Sequence, residues 1–209
     1  MTRDAGRDKA RDPQSGRARD AQRARVYAAE NLVRTMFDRA AERGNPVVDF
    51  FGTSLTLPPE ARFSSAETVQ RYVDDVLAHP AVRDRWPVVS PLRVRARRGH
   101  TAAHYECTAD ADELSPDGLG APDEIGAPDE LGEARAGATI AVPERGTAWA
   151  LRELVVLHEI THHLVQQAGG TAAAHGHEFV GTFCELADAV MGPEVAHVLR
   201  VVYAKEGAR

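Results

Sequence analysis

Apolar positions recur at helical spacing between Arg23 and Arg43, at Val26, Tyr27, Leu32, Val33, Met36, Phe37 and Ala40, and Gly44-Asn45-Pro46 ends the run. Val47 to Phe51 predicts a short strand, and Gly52 to Arg62, with Pro58-Pro59, a loop. A second helix is expected from Ser64, whose spacing to Glu67 is that of a capping box, through Val69, Tyr72, Val73, Val76 and Leu77 to His79-Pro80. His79, before a proline, reads as a surface or cap residue. Leu92 to Arg97 alternates apolar and basic residues, a half-exposed strand, and Arg98-Gly99-His100 turns it into a hairpin with residues 102–107. Ala138 to Pro143 predicts the next strand. The following helix is expected to start near Ala148, with Thr147 as its cap, and to end near Gln167 before Gly169-Gly170. A helix opening at His175-Gly176-His177 and a last one after Gly192-Pro193 complete the chain.

The helix over residues 149–165 differs from the others. Leu154, Val155, Val156, Leu157, Ile160, Leu164 and Val165 make it apolar on most sides, as in a segment that runs through a core. With 209 residues and 43% hydrophobic content, the chain supports one domain over residues 23–209. The expected fold class is α+β, a small mixed or antiparallel sheet packed on helices with this helix at the centre.

Composition adds two departures. Residues 1–22 are polar, basic and without apolar periodicity, so they are expected to be a disordered tail. Residues 110–135 form an acidic low-complexity insertion containing three tandem hexapeptides over residues 115–132, each with Pro and Gly. The net charge of −6 argues against a nucleic-acid surface, and Arg93, Arg95 and Arg97 read as a solvated sheet face. Cys107 and Cys184 lack zinc-knuckle spacing and are expected to be reduced and semi-buried. No apolar run approaches a membrane span, and the N-terminus has no signal-like core, which points to the cytoplasm.

The core helix carries His158-Glu159-x-x-His162. Four residues apart, the two imidazoles lie one turn apart on one face and can share a metal ion. Glu159 projects about 100° round the helix, where it can reach a water on that ion as general base without being a ligand. Catalytic zinc takes three protein ligands and keeps one position open. His175, thirteen residues past His162 and beyond the Gly-Gly break, is the favoured third ligand. His177, Glu178 and Glu185 are alternatives, while His163 points away from the His158/His162 face. A carboxylate among them could orient a ligand imidazole, and His177 or Tyr203 could stabilise an oxyanion. One zinc ion per chain is expected.

These residues carry a resemblance. His158-Glu159-x-x-His162 followed by His175-x-x-x-Phe179 is similar to the SprT-like minimal zinc metalloproteases. More closely, the chain resembles a family of small bacterial metallohydrolases through Arg97-Arg98-Gly99, Ala103-His104-Tyr105-Glu106, Ile140-Ala141-Val142-Pro143, Trp149 to Glu159 and His175-Gly176-x-x-Phe179. The resemblance implies a zincin-like fold, with His158, His162 and His175 as ligands and Glu159 as base. It implies no substrate. A metallopeptidase binding a peptide or protein along strand 139–142 is the first expectation, that strand being taken as the sheet edge beside the cleft. A zinc hydrolase of a small amide or other non-peptide substrate, and a silent zincin-like binding domain, are the alternatives.

Overall fold

The computed structural model describes residues 13–87, 89–98, 102–107, 137–144, 151–170 and 174–209. Among these are six helices, α1 (Pro13–Arg43), α2 (Ala66–Ala78), α3 (Pro80–Arg85), α4 (Glu153–Gln167), α5 (His177–Met191) and α6 (Pro193–Glu206). Five strands accompany them: β1 (Val47–Phe50), β2 (Thr53–Thr56), β3 (Leu92–Arg97), β4 (His104–Cys107) and β5 (Ala138–Pro143). The architecture is mixed α+β. The acidic insertion with its hexapeptides, the turn at Gly99-His100, the Thr147 cap and residues 1–12 of the expected tail lie outside the described residues.

Residues 13–22, expected to be disordered, are instead the first turns of α1. Ala, Arg and Gln favour helix, and the packed turns that follow supply the nucleus that an isolated segment would lack. Gln22 ties these turns down, its Nε2 donating to the carbonyls of His175 (3.0 Å) and Arg209 (2.6 Å). The inward face of α1 carries Val26, Ala29, Val33, Phe37 and Ala40, and one charged residue, Glu30. Tyr27 and Leu32, at apolar positions of the pattern, stay about two-fifths exposed (43% and 41%).

The expected loop after Gly52 begins with a strand. β1 and β2 form a hairpin whose turn residues Phe51 and Gly52 both have positive φ (51° and 82°), the handedness that matches strand twist. The cap of α2 is Ser65, not Ser64: its hydroxyl accepts from Thr68 N–H, and Thr68 Oγ1 accepts from Ser65 N–H. His79 closes α2 on the surface, and Pro80 opens the short α3 at the helix position where its missing N–H costs nothing.

The sheet corrects the expected hairpin of β3 with β4. Its order is β3-β5-β4, with β5 parallel to β3 and antiparallel to β4. The largely apolar β5, with Ile140 and Val142 essentially fully buried, takes the centre because it can be covered on both faces. Strand 139–142 is therefore not an edge and offers no backbone for a peptide to pair with. The outer side of β3 is also closed. Gln70 of α2 donates to Leu92 O (3.0 Å) and accepts from Val94 N (2.6 Å), occupying that edge as a neighbouring strand would.

α4 begins five residues later than expected. Leu151 and Arg152 are extended and pair with residues 61–63, through Phe63 N to Leu151 O (2.8 Å) and Glu153 N to Ala61 O (2.9 Å). The cap is tertiary: Glu60 Oε1 accepts from Leu154 N at 3.3 Å and from the buried Arg152 Nε at 2.7 Å. α4 then runs through the core, packed by α5, β4, β5 and α2, while α6 joins α5 to α1. It ends where Gly170 approaches it so closely that a Cβ there would stand 2.7 Å from Val165 Cγ1. Among the described residues no helix is long and apolar enough to cross a membrane.

Candidate metal centre

His158 and His162 face the same way from α4, and the turn before α5 brings His175 to them; Gly176, not His175, is the helix cap. His158 Nε2 stands 3.2 Å from His162 Nε2 and 3.2 Å from His175 Nε2. Donor atoms of all three lie within 4.8 Å of one another, so these three residues are close enough to hold one metal ion. Ligand nitrogens at roughly 2.0–2.1 Å from a tetrahedral ion stand about 3.3–3.4 Å apart, close to the two 3.2 Å separations from His158.

The surroundings make the nitrogens good donors. Burial, with the charge of His158, lowers the His175 pKa to about 3 and that of His162 well below the ordinary value. Burial pulls His158 the same way, but the charge and hydrogen bond of Glu30 outweigh it and raise its pKa. Glu30 Oε1 sits 2.8 Å from His158 Nδ1, which turns Nε2 of that ring toward the other two histidines. The same oxygen accepts the Tyr203 hydroxyl at 3.0 Å, and Arg34 lies 3.6 Å from Oε2.

Aromatic rings enclose the three imidazoles. Phe179, 1% exposed, packs against all three at centroid distances of 4.7, 4.6 and 5.0 Å. Tyr105 of β4 stacks beside His162 at 6.2 Å, and its hydroxyl is engaged by Gln166 (2.5 Å) and His163 Nδ1 (3.1 Å). Tyr27 lies nearly parallel to His158 (5.7 Å, 17°) and tilted over His175 (5.1 Å). Glu159 is buried beside this group. Burial raises its pKa, against the charge of His158 and the main-chain N–H of Tyr105 directed at it.

The other sequence candidates lie elsewhere. Glu185 pairs with Arg85 at 2.7 Å on the surface. His177, Glu178 and Glu185 line a groove with Trp86 and Val165 whose walls include none of the three histidines. Tyr203 is buried against Glu30 and does not face an open position. His163 is pinned in the core by Ser90 O (2.8 Å) and Tyr105. Sequence reasoning missed Glu30, although its position carried a signal: it is a carboxylate four residues after Val26 and three before Val33, inside the apolar stripe of α1.

Compared with known proteins, the chain matches no family model, no curated protein and no solved structure.

Proposed function

We propose that the protein is a zincin-like zinc hydrolase, most simply a metallopeptidase. One observation carries this reading: donor nitrogens of three imidazoles converge within 4.8 Å of one another, with the buried carboxylate of Glu159 beside His158 on the helix. A catalytic ion here needs a ligand set of three and a base that is not a ligand, and the four residues meet both needs. The resemblance to SprT-like proteases and to small bacterial metallohydrolases supports the same assignment.

Zinc held by His158, His162 and His175 would supply Lewis acidity, making a water acidic enough to attack at neutral pH and polarising the scissile carbonyl. Glu159 takes the proton from the attacking water and passes it to the leaving amine. Burial favours that exchange by raising the carboxylate's proton affinity above that of an exposed glutamate. Glu30 keeps His158 in the tautomer that offers Nε2.

A peptide reading is favoured by β4, which among the described residues has a strand, β5, on one side only. The Tyr105 N–H on the other side is directed at Glu159, so it is taken, and a peptide would pair through the remaining outward main-chain groups of β4. An extended peptide pairing with β4, rather than with strand 139–142, would run beside the histidines. A small amide would need no such edge.

The test uses the intact chain without a histidine tag. About one zinc per chain is expected in wild type, sharply less in His175→Ala. Hydrolysis of a peptide pool should fall by roughly 10²–10⁴ in Glu159→Gln with its zinc retained. Undiminished hydrolysis in Glu159→Gln would sink the mechanism. Zinc without any hydrolysis of peptides or small amides would leave a binding domain.

A further inference from the structure

We infer that Tyr27 is the oxyanion donor of this site, its phenol hydrogen-bonding the carbonyl oxygen of the substrate as negative charge builds there. The inference rests on the metallohydrolase reading and adds the residue that reading lacks. Attack by water on an amide places charge on the carbonyl oxygen, and a donor fixed beside it lowers the barrier. Neither residue expected from the sequence can do this, because Tyr203 is committed to Glu30 and His177 lines a different groove.

Three observations single out Tyr27. Its ring lies against two of the three imidazoles, 5.7 Å from His158 and 5.1 Å from His175. It is 43% exposed, so solvent and substrate reach it, whereas the floor of the site is the apolar, fully covered Phe179. Its hydroxyl makes no hydrogen bond among the described residues, while the Tyr105 hydroxyl is held by Gln166 and His163. Packing against the imidazoles would be served as well by phenylalanine. The phenol adds a donor that stays protonated at neutral pH and has no partner among the described residues. Tyr27 and Tyr105 thus flank the histidines from α1 and β4, and of the two only Tyr27 has a hydroxyl to give. The proton stays on Tyr27 throughout, since Glu159 carries the transferred one.

The experiment compares wild type and Tyr27→Phe loaded with cobalt(II), which reports ligand exchange in its visible spectrum, and titrates each with acetohydroxamate. The expected result is one cobalt per chain in both proteins, the same thermal midpoint, and at least tenfold weaker hydroxamate binding in Tyr27→Phe. With a peptide pool, kcat should fall at least tenfold with KM little changed, as for a group that acts on the transition state. Equal hydroxamate affinity in the two proteins would overturn the role of Tyr27 and leave the metal reading standing. Loss of cobalt in Tyr27→Phe would make it a packing support for the ligands and also overturn the proposal. Wild type that takes up no cobalt, or takes it up and ignores acetohydroxamate, would overturn the reading beneath it.

Discussion

The Glu30 carboxylate and the His158 imidazole stand 2.8 Å apart, Oε1 to Nδ1, across 128 residues of chain. This contact makes the first helix part of the candidate metal centre. Glu30→Gln keeps the shape but replaces the carboxylate that orients His158, and metal affinity should fall about 10–100-fold, measured by competition with a chromophoric chelator. Tyr203→Phe removes only the hydroxyl behind Glu30. It should cost roughly 0.5–1.5 kcal/mol of stability in urea unfolding and change metal affinity less than Glu30→Gln.

Arg152 and Glu60, each about 3% exposed in its side chain, form a buried ion pair at the start of α4. Arg152→Met leaves Glu60 with only the longer pairing to Arg62 (3.4 Å), an expected loss of about 1–3 kcal/mol in urea unfolding. The double variant with Glu60→Gln should lose less than the sum of the single changes, because both remove the same pairing.

Acid should destabilise the metal-free protein. Burial lowers the pKa of His162, His163 and His175, the last to about 3. Such groups take up protons on unfolding, so their contribution is full above about pH 6.5 and is lost as pH falls toward the folded values. His158 acts in the opposite sense. Glu30 raises its pKa, which adds stability at low pH that fades as pH rises through the raised value. Among the histidines, three against one give stability that drops below about pH 6.5, opposed at lower pH by Glu159, whose buried carboxyl has a raised pKa, and His175→Ala should flatten that slope in chelator-treated samples.

The two cysteines should differ in reactivity. Cys184 is 4% exposed and burial pushes its thiol up to about 11, so little thiolate forms at neutral pH. Cys107 is half-buried on β4. Iodoacetamide followed by mass spectrometry should label Cys107 in the native protein and Cys184 only after unfolding.

Helical periodicity located α2, α5 and α6, and the end of α4, to within a few residues, because each buries a face set by a 3.6-residue repeat. The α4 boundary was hidden because its cap comes from Glu60, some ninety residues away, and no local signal reports a distant carboxylate. The β3–β4 pairing was misread for a related reason. Two adjacent strands with a Gly turn read as a hairpin, yet β5, arriving after the acidic insertion, is the more apolar and takes the centre between them.

The candidate metal-binding face of α4 follows from residue spacing alone, since four positions make one turn and place His158 and His162 together whatever surrounds them. That local regularity also marks Glu159 as their neighbour. The rest was decided in three dimensions. Whether His175, His177, Glu178 or Glu185 reaches the pair depends on how α5 folds back, and packing on Phe179 places His175 there and leaves Glu185 with Arg85 on the surface. Glu30, Tyr27 and Tyr105 join the site from α1 and β4 because burial of apolar faces brings those elements against α4, and sequence distance carries no record of it.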